Sequence, residues 1–295
     1  MIKLFQDGEI NMGKIAISCD STSAISRKEG ADLGIFILPL NVIVDEVEYH
    51  DGIDINNEKL AKMMRKGAKI KTSTPTYGEL ETFFDDIFKK GYDHIIHICI
   101  SSKLTSIFNM TTQYCKEQYG DKVTVIDSLS VCSFMGNLVR YAKYLVEKGE
   151  DVSSIKEKIE QRREKEDVVF IPESLTYLQR GGRVSPAIAT LGNMIGMKPM
   201  LVFKSGAIEK GKMVRVVKKA CISALEEMKA KNYNPDEYEV HIISFDCDEL
   251  ENFVFEQAVD IFHGFIVNKY PISINVDGHA GPGTIGIGVT PRPRD

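Results

Sequence analysis

The sequence predicts an α/β protein of two domains: an N-terminal α/β/α layer on a parallel sheet over residues 14–165, and a C-terminal α/β domain with a mixed sheet over residues 166–290. Three observations carry this reading. A chain of 295 residues can bury a sizeable core and divides more naturally into two domains than one. In the first half, short apolar runs alternate with helical patterns, the order expected of a parallel sheet in a doubly wound layer. In the second half hairpin-like and helical connections are mixed, which predicts a mixed sheet covered by helices on one face.

Lys14–Cys19 reads as a strand closed by Asp20-Ser21-Thr22-Ser23. Ile35–Val44 is an apolar run interrupted by Pro39 and predicts the second strand, with an acidic hairpin or loop through Asp54. Asn57–Lys66 is helical, with Leu60, Met63 and Met64 on one face. After Lys71-Thr72-Ser73-Thr74-Pro75, Glu79–Lys89 places Leu80, Phe83, Phe84, Ile87 and Phe88 at three-and-four spacing. His94–Phe108 (H-I-I-H-I-C-I-S-S-K-L-T-S-I-F) joins a buried parallel strand to a hydroxyl-bearing turn and an amphipathic helix. Lys122–Ile126 is another strand, closed by Asp127-Ser128, and Asn137–Lys148 is a helix that Gly149 ends.

Ser153–Asp167 is a helix of mixed charge, read as a solvated face linking the two domains. Val168–Ile171 is a strand, Leu175–Leu178 leads into Gln179-Arg180-Gly181-Gly182-Arg183-Val184-Ser185, and Ile188–Ile195 is an apolar helix. Lys198–Phe203 reads as a strand, Gly206–Lys212 as a turn with a short strand, and Val214–Lys231 as an amphipathic helix. Glu239–Phe245 is a strand, Asp248–Phe262 a helix and Pro271–Val276 an alternating strand. A glycine-proline loop, Gly278–Gly283, leads to the last strand, Thr284–Val289, and Thr290–Asp295 is a frayed tail.

Composition narrows the function. The 43% hydrophobic and 27% charged fractions are ordinary for a globular protein, and a formal net charge of −5 argues against a nucleic-acid partner. No apolar run approaches the ~20 residues of a membrane span. The N-terminal M-I-K-L-F-Q-D-G-E-I-N-M-G is too short and too acidic for a signal peptide. The six cysteines show no metal spacing, which reads as a reduced, cytoplasmic protein without a structural metal.

Three strand ends carry Asp or Ser: Asp20-Ser21, Ser101-Ser102 and Asp127-Ser128. Ligands of open α/β sheets bind outside the carboxyl ends of strands, and free N–H groups at a helix start favour an anion. Serine is also an ordinary N-cap, so each turn taken alone is more simply a capping turn, and it is their recurrence at three strand ends that points to a polar site. Thr72-Ser73-Thr74 adds three hydroxyls, with Pro75 positioned to open the next helix. Arg183 follows paired glycines and could meet a carboxylate bidentately or form a structural ion pair. His279 lies in G-H-A-G-P-G, a titratable donor on flexible backbone. There is no phosphate-binding loop, nucleophile elbow or H-E-x-x-H, so the inventory favours holding an acid over transforming one.

Taken together these segments resemble the DegV family of bacterial lipid-binding proteins. The resemblance rests on Asp20–Thr22 (D-S-T), Thr72–Pro75 (T-S-T-P), Ser101–Ser106 (S-S-K-L-T-S), Val125–Ser128 (V-I-D-S), Leu175–Ser185, Met197–Pro199 (M-K-P) and His279–Gly283 (H-A-G-P-G), in the family's order. It implies the two-domain architecture above, with a long-chain fatty acid in a tunnel at and below the domain junction. Its carboxylate would be held at Thr72 or Ser73, at Ser101 or Ser102, and near His279 and Gly281, with Asp20 and Arg183 in support. The implied protein is a non-enzymatic carrier that presents the carboxylate to a separate ATP-dependent fatty acid kinase protein. No cofactor beyond the bound fatty acid is implied and no nucleic acid; transient contact with a membrane is compatible with that role. The sequence departs from the family pattern at Lys103 and Ser106, which stand at glycine positions, at Thr74 and at Ala280. Two other readings compete: a small-molecule hydrolase or phosphotransferase using Asp20 and His279 as acid and base, and a lipid-responsive regulator.

Overall fold

A computed structural model describes residues 13–185, 188 and 196–294. The first sheet is wholly parallel. Strand β1 (Ile15–Asp20) runs into helix α1 (Arg27–Leu33), which the periodicity did not reveal, and then β2 (Ile35–Leu38). The apolar run expected to be one strand is split at Pro39: without an N–H to carry the ladder onward, the chain leaves the sheet. It continues as β3 (Asn41–Val44) and β4 (Val47–His50), a hairpin in a separate three-stranded sheet. Helix α2 (Asn57–Arg65) follows, then β5 (Ile70–Ser73), which completes that small sheet with Thr72 opposite Val42 and Ser73 opposite Asn41. Thr72 and Ser73 are therefore strand residues. Pro75 does not open the next helix; Thr76 caps α3 (Tyr77–Phe88) in a capping box with Glu79.

The organising strand β6 (His94–Cys99) pairs with β1 on one side and with β7 (Val123–Asp127) on the other, giving the order β2-β1-β6-β7. Helix α4 (Ile107–Tyr119) starts later than expected, because residues 102–104 form a turn before it. Helix α5 (Cys132–Glu147) starts earlier and is buried along most of its length. Both faces of the sheet are covered. Leu80, Phe84 and Ile87 of α3 and Cys115 of α4 pack on Ala16 and Ile95. Met135, Leu138 and Val139 of α5 pack on Ile17, Ile96 and Ile98. Helix α6 (Val152–Arg162) is no free linker, since its Ile155 and Ile159 are buried in that same core.

The second sheet is mixed, and its first strand is β8 (Asp167–Ile171). Helix α7 (Thr176–Arg180) precedes the hairpin of β9 (Lys198–Lys204) and β10 (Ala207–Val214). Helix α8 (Val217–Lys229), β11 (Tyr238–Phe245) and α9 (Asp248–Ile261) lie close to their expected bounds. The strand expected at Pro271–Val276 is instead the end of β12 (Val267–Pro271) and a helix, α10 (Ile274–Ala280). His279 thus sits on a helix, not in a loop. The last strand, β13 (Thr284–Pro291), holds Thr290 and Pro291 opposite Glu239 and Tyr238, so the tail begins later than expected. Apart from buried Ile188, the apolar helix expected over 188–195 lies outside the described residues, as does the N-terminal arm through residue 12.

The order is β10-β9-β8-β13-β11-β12, with β11 and β12 parallel and the other pairs antiparallel. Alternation along β11 sends Val240 and Ile242 toward α8 and α9, and Ile243 and Phe245 to the opposite face. That opposite face meets α5 of the first layer. Phe134 lies over Gly288, where an added Cβ would come within 2.5 Å of its ring. Beside it Asn137 Nδ2 donates to Glu239 Oε1 (2.6 Å), and His241 bridges Glu239 (2.8 Å) and Ser133 Oγ (2.9 Å). Burial lowers the His241 pKa, and although burial alone would raise Glu239, its hydrogen bonds to His241 and Asn137 bring it below the usual range. The neutral ring therefore donates to the carboxylate and accepts from the serine hydroxyl. Gly288→Ala is expected to cost about 1–3 kcal/mol by overpacking this junction, measurable by urea denaturation.

Candidate functional site

A cavity opens where the strand ends of the first sheet face the inner side of the second. Phe170, Leu201, Phe203 and Ile208 form its apolar wall from the mixed sheet, and Ile107 and Val131 from the first layer. Polar residues enter from three directions: Thr72, Ser73 and Thr74 from β5 and its exit, Thr105 and Ser106 from the turn into α4, and His279 and Asn275 from α10. Arg183 and, from β13, Thr284 also line it.

These groups are mutually tied. Thr72 Oγ1 lies 2.8 Å from His279 Nε2, joining β5 to α10. Arg183 Nε donates to the Leu104 carbonyl at 3.1 Å, and its guanidinium also donates to the Gly181 carbonyl. The imidazole rests directly on Gly181, where any side chain would collide with Nδ1. The reverse contact also occurs. Gly281, at φ +82°, leaves room for the Tyr177 ring. The two glycine-rich motifs of the sequence thus interlock, α7 against α10.

The electrostatics are uneven. Burial, reinforced by the nearby Arg183 charge, lowers the His279 pKa from 6.5 to about 4, so the ring is neutral near pH 7. Burial lowers the Arg183 pKa as well, yet a guanidinium keeps its charge in a protein. Among the described residues the cavity therefore offers one cation, hydroxyls and a neutral imidazole, a set suited to a single carboxylate at the end of an apolar chain.

Of the residues singled out in the sequence, Thr72, Ser73, Thr74, Arg183 and His279 line the cavity, whereas Ser101, Ser102, Gly281 and Asp20 do not. Ser101 Oγ donates to the Gly206 carbonyl at 2.7 Å, at the tip of the β9–β10 hairpin, and accepts from the Lys103 N–H at 3.2 Å. Its single hydroxyl proton is committed there. Ser102 N–H donates to Asp127 Oδ1 at 3.1 Å, while Asp20, wholly buried, accepts from the Ile100 N–H at 2.8 Å and from Thr22. The strand-end acids thus strap the turn after β6, and Asp20 and His279 are not brought together as an acid–base pair. Thr105, Ser106, Asn275 and Thr284 were missed as polar lining residues. For Thr105 and Ser106 the signal lay in the same S-S-K-L-T-S stretch, three residues beyond the serines chosen. Of the four departures from the family pattern, Lys103 is exposed and outside the lining, while Ser106, Thr74 and Ala280 join it. Among the described residues no group of three His, Cys, Asp or Glu side chains could hold a metal, and no helix is long and apolar enough to cross a membrane.

The model of the DegV family, described as uncharacterised proteins, matches residues 14–292. This chain belongs to the DegV family. A DegV domain-containing protein of Caldanaerobacter subterraneus subsp. tengcongensis is 31% identical over 283 residues, covering 94% of this chain and 98% of that one. Among solved structures, DegV of Bacillus subtilis, a fatty acid binding protein, is 25% identical with a TM-score of 0.83, covering 95% of this chain and all of that one (100%). The DegV family protein of Thermus thermophilus, solved for its fatty acid binding, superposes with a TM-score of 0.86 at 24% identity over 94% and 99% of the two chains. The mixed α/β fold described above is therefore the DegV fold.

Two outcomes follow from the site's chemistry. The folded pKa of His279 lies below its ordinary value, so unfolded chains protonate first as the pH falls. Its stabilising contribution is complete above 6.5 and is lost as the pH drops to about 4. Relative to His279→Gln, the wild type should lose on the order of 2–3 kcal/mol across that window in denaturation measured at each pH. Ser101→Ala strands the Gly206 carbonyl, and should lower stability by about 1–3 kcal/mol while leaving the charge at the cavity intact.

Proposed function

We propose that this chain binds a long-chain fatty acid in the cavity between its two sheets and presents the carboxylate to a separate ATP-dependent fatty acid kinase protein. The observation that carries the reading is an apolar cavity ending in one half-buried arginine surrounded by hydroxyls and a neutral histidine. The fatty acid binding of the Bacillus subtilis and Thermus thermophilus relatives, and of a stearic acid-binding protein from Eubacterium ventriosum with a TM-score of 0.83, supports it. In this reading Arg183 supplies the charge, Thr72 and Ser73 donate hydroxyl hydrogen bonds, and His279 orients Thr72. Ser101, Ser102, Asp20 and Gly281 then act through the frame of the site instead of on the ligand.

Burial of the acyl chain supplies the affinity, at roughly 0.8 kcal/mol per methylene, so a long chain gains on the order of 10 kcal/mol before ordering costs. The exposed Ser106 and half-buried Thr105 beside the polar end leave the head group within reach of a partner. A carrier without chemistry of its own accords with Asp20 being walled away from the cavity. Six free cysteines, five of them buried, accord with a reducing compartment such as the cytoplasm.

Native mass spectrometry followed by lipid extraction is expected to find one long-chain fatty acid per chain. Arg183→Gln is expected to weaken fatty acid binding at least about tenfold, the worth of a charge-assisted hydrogen bond. With a fatty acid kinase partner and ATP, wild-type protein should support acyl phosphorylation that His279→Ala slows. Protein that holds no lipid and turns over a small acid without any partner would remove the carrier reading.

A further inference from the structure

Asn275 stands in the cavity wall between the apolar Ile272 and Val276, one helical turn before His279 on α10. Its Nδ2 donates to the main-chain carbonyl of Asn41 at 3.1 Å. The reverse orientation would set two oxygens against each other, so the hydrogen-bond chemistry assigns the amide. The atom left for the cavity is the carbonyl oxygen. Among the described residues nothing donates to it, and it is not one of the side-chain atoms sealed in without a partner, unlike Asn41 Oδ1 and Asp277 Oδ1.

An amide oxygen only accepts. A carboxylate brings acceptors alone and is repelled by it, and an alkyl chain laid across it removes its water without returning a hydrogen bond. The group that suits this position is a hydroxyl. Residues i and i+4 of a helix lie about 5–6 Å apart, the length of roughly four carbons of an extended chain with bonds of about 1.5 Å. A ligand anchored by its carboxylate beside His279 therefore passes Asn275 within its first few carbons.

We propose that the acid held here is a long-chain hydroxy acid, hydroxylated within the first few carbons of its carboxylate, and that Asn275 accepts the hydrogen bond from that hydroxyl. This rests on the fatty acid reading above and narrows its substrate class. Asn275 is then a specificity-determining residue, separate from the group that pairs with the carboxylate.

The test is isothermal titration of delipidated protein with hexadecanoate, 3-hydroxyhexadecanoate and 16-hydroxyhexadecanoate. Wild-type protein should bind the 3-hydroxy acid about tenfold more tightly than the plain acid, the worth of one well-placed hydrogen bond. The 16-hydroxy acid should show no such advantage, and Asn275→Val should abolish or invert the 3-hydroxy preference. The wild-type ratio decides even if the variant fails to fold. Equal or weaker binding of the 3-hydroxy acid by wild type would overturn the inference and assign the amide to an ordered water, leaving fatty acid binding intact. A preference for the 3-hydroxy acid that survives in Asn275→Val would overturn the role of Asn275. Failure of all three acids to bind would overturn the fatty acid reading itself and this inference with it.

Discussion

The short helix α10 has no cap of its own, and the site depends on how it is held. Ser273, at its N-cap position, makes no side-chain capping bond. The acceptor comes from the first layer instead: Asp51, whose carboxylate takes the Asn275 backbone N–H and the Ser21 hydroxyl, the latter at 2.9 Å. Further along, Asp277 Oδ2 accepts from Asn57 Nδ2 at 2.7 Å, and His279 meets Thr72. Three successive attachments, each to a different element of the N-terminal half, position the imidazole and the Asn275 amide over the cavity. At 7 residues the helix could not form alone in water; tertiary contacts create it.

Those attachments make the junction sensitive to pH in two opposed senses. Burial raises Asp51 from 3.8 to about 7, and raises Asp277 well above the carboxylate range. A carboxyl raised on folding stabilises the native state at low pH and loses that contribution as the pH climbs through its folded value. His279, lowered on folding, does the reverse. Below neutrality the two effects overlap and partly cancel, so the wild-type stability profile understates both. The same burial leaves the charge of the site to Arg183: beside a neutral imidazole and protonated or hydrogen-bonded carboxyls, it is the cation among the described lining residues.

A second constraint is helix α5, which serves two sheets at once. One side packs on the parallel sheet, and Ser133, Phe134 and Asn137 face the mixed sheet. The buried Ser133–His241–Glu239–Asn137 network spends desolvation free energy for a defined geometry, and such networks set orientation more than they add stability. Orientation matters here because the cavity walls come from both sheets.

The alternating strands and helices, the buried strand β6 and the family motifs were legible in the residues themselves, because hydrophobic periodicity and turn chemistry act over a few neighbours. Thr72 and Ser73 were legible as part of a run of hydroxyls, and Arg183 and His279 as polar groups in apolar or glycine-rich surroundings. Local pattern could not show that Pro39 sends the chain into a third sheet, or that residues 274–280 are helical, since the Asp51 cap lies more than two hundred residues away in sequence. Nor could it tell Ser101 from Thr105: both lie in one hydroxyl-rich turn, and only the approach of Gly206 from the other half of the chain commits the first and leaves the second to the cavity. The residues alone determined most of the elements and the chemistry on offer. Tertiary structure decided which hydroxyls and amides stay available, because each polar group forms few hydrogen bonds and folding uses most of them internally.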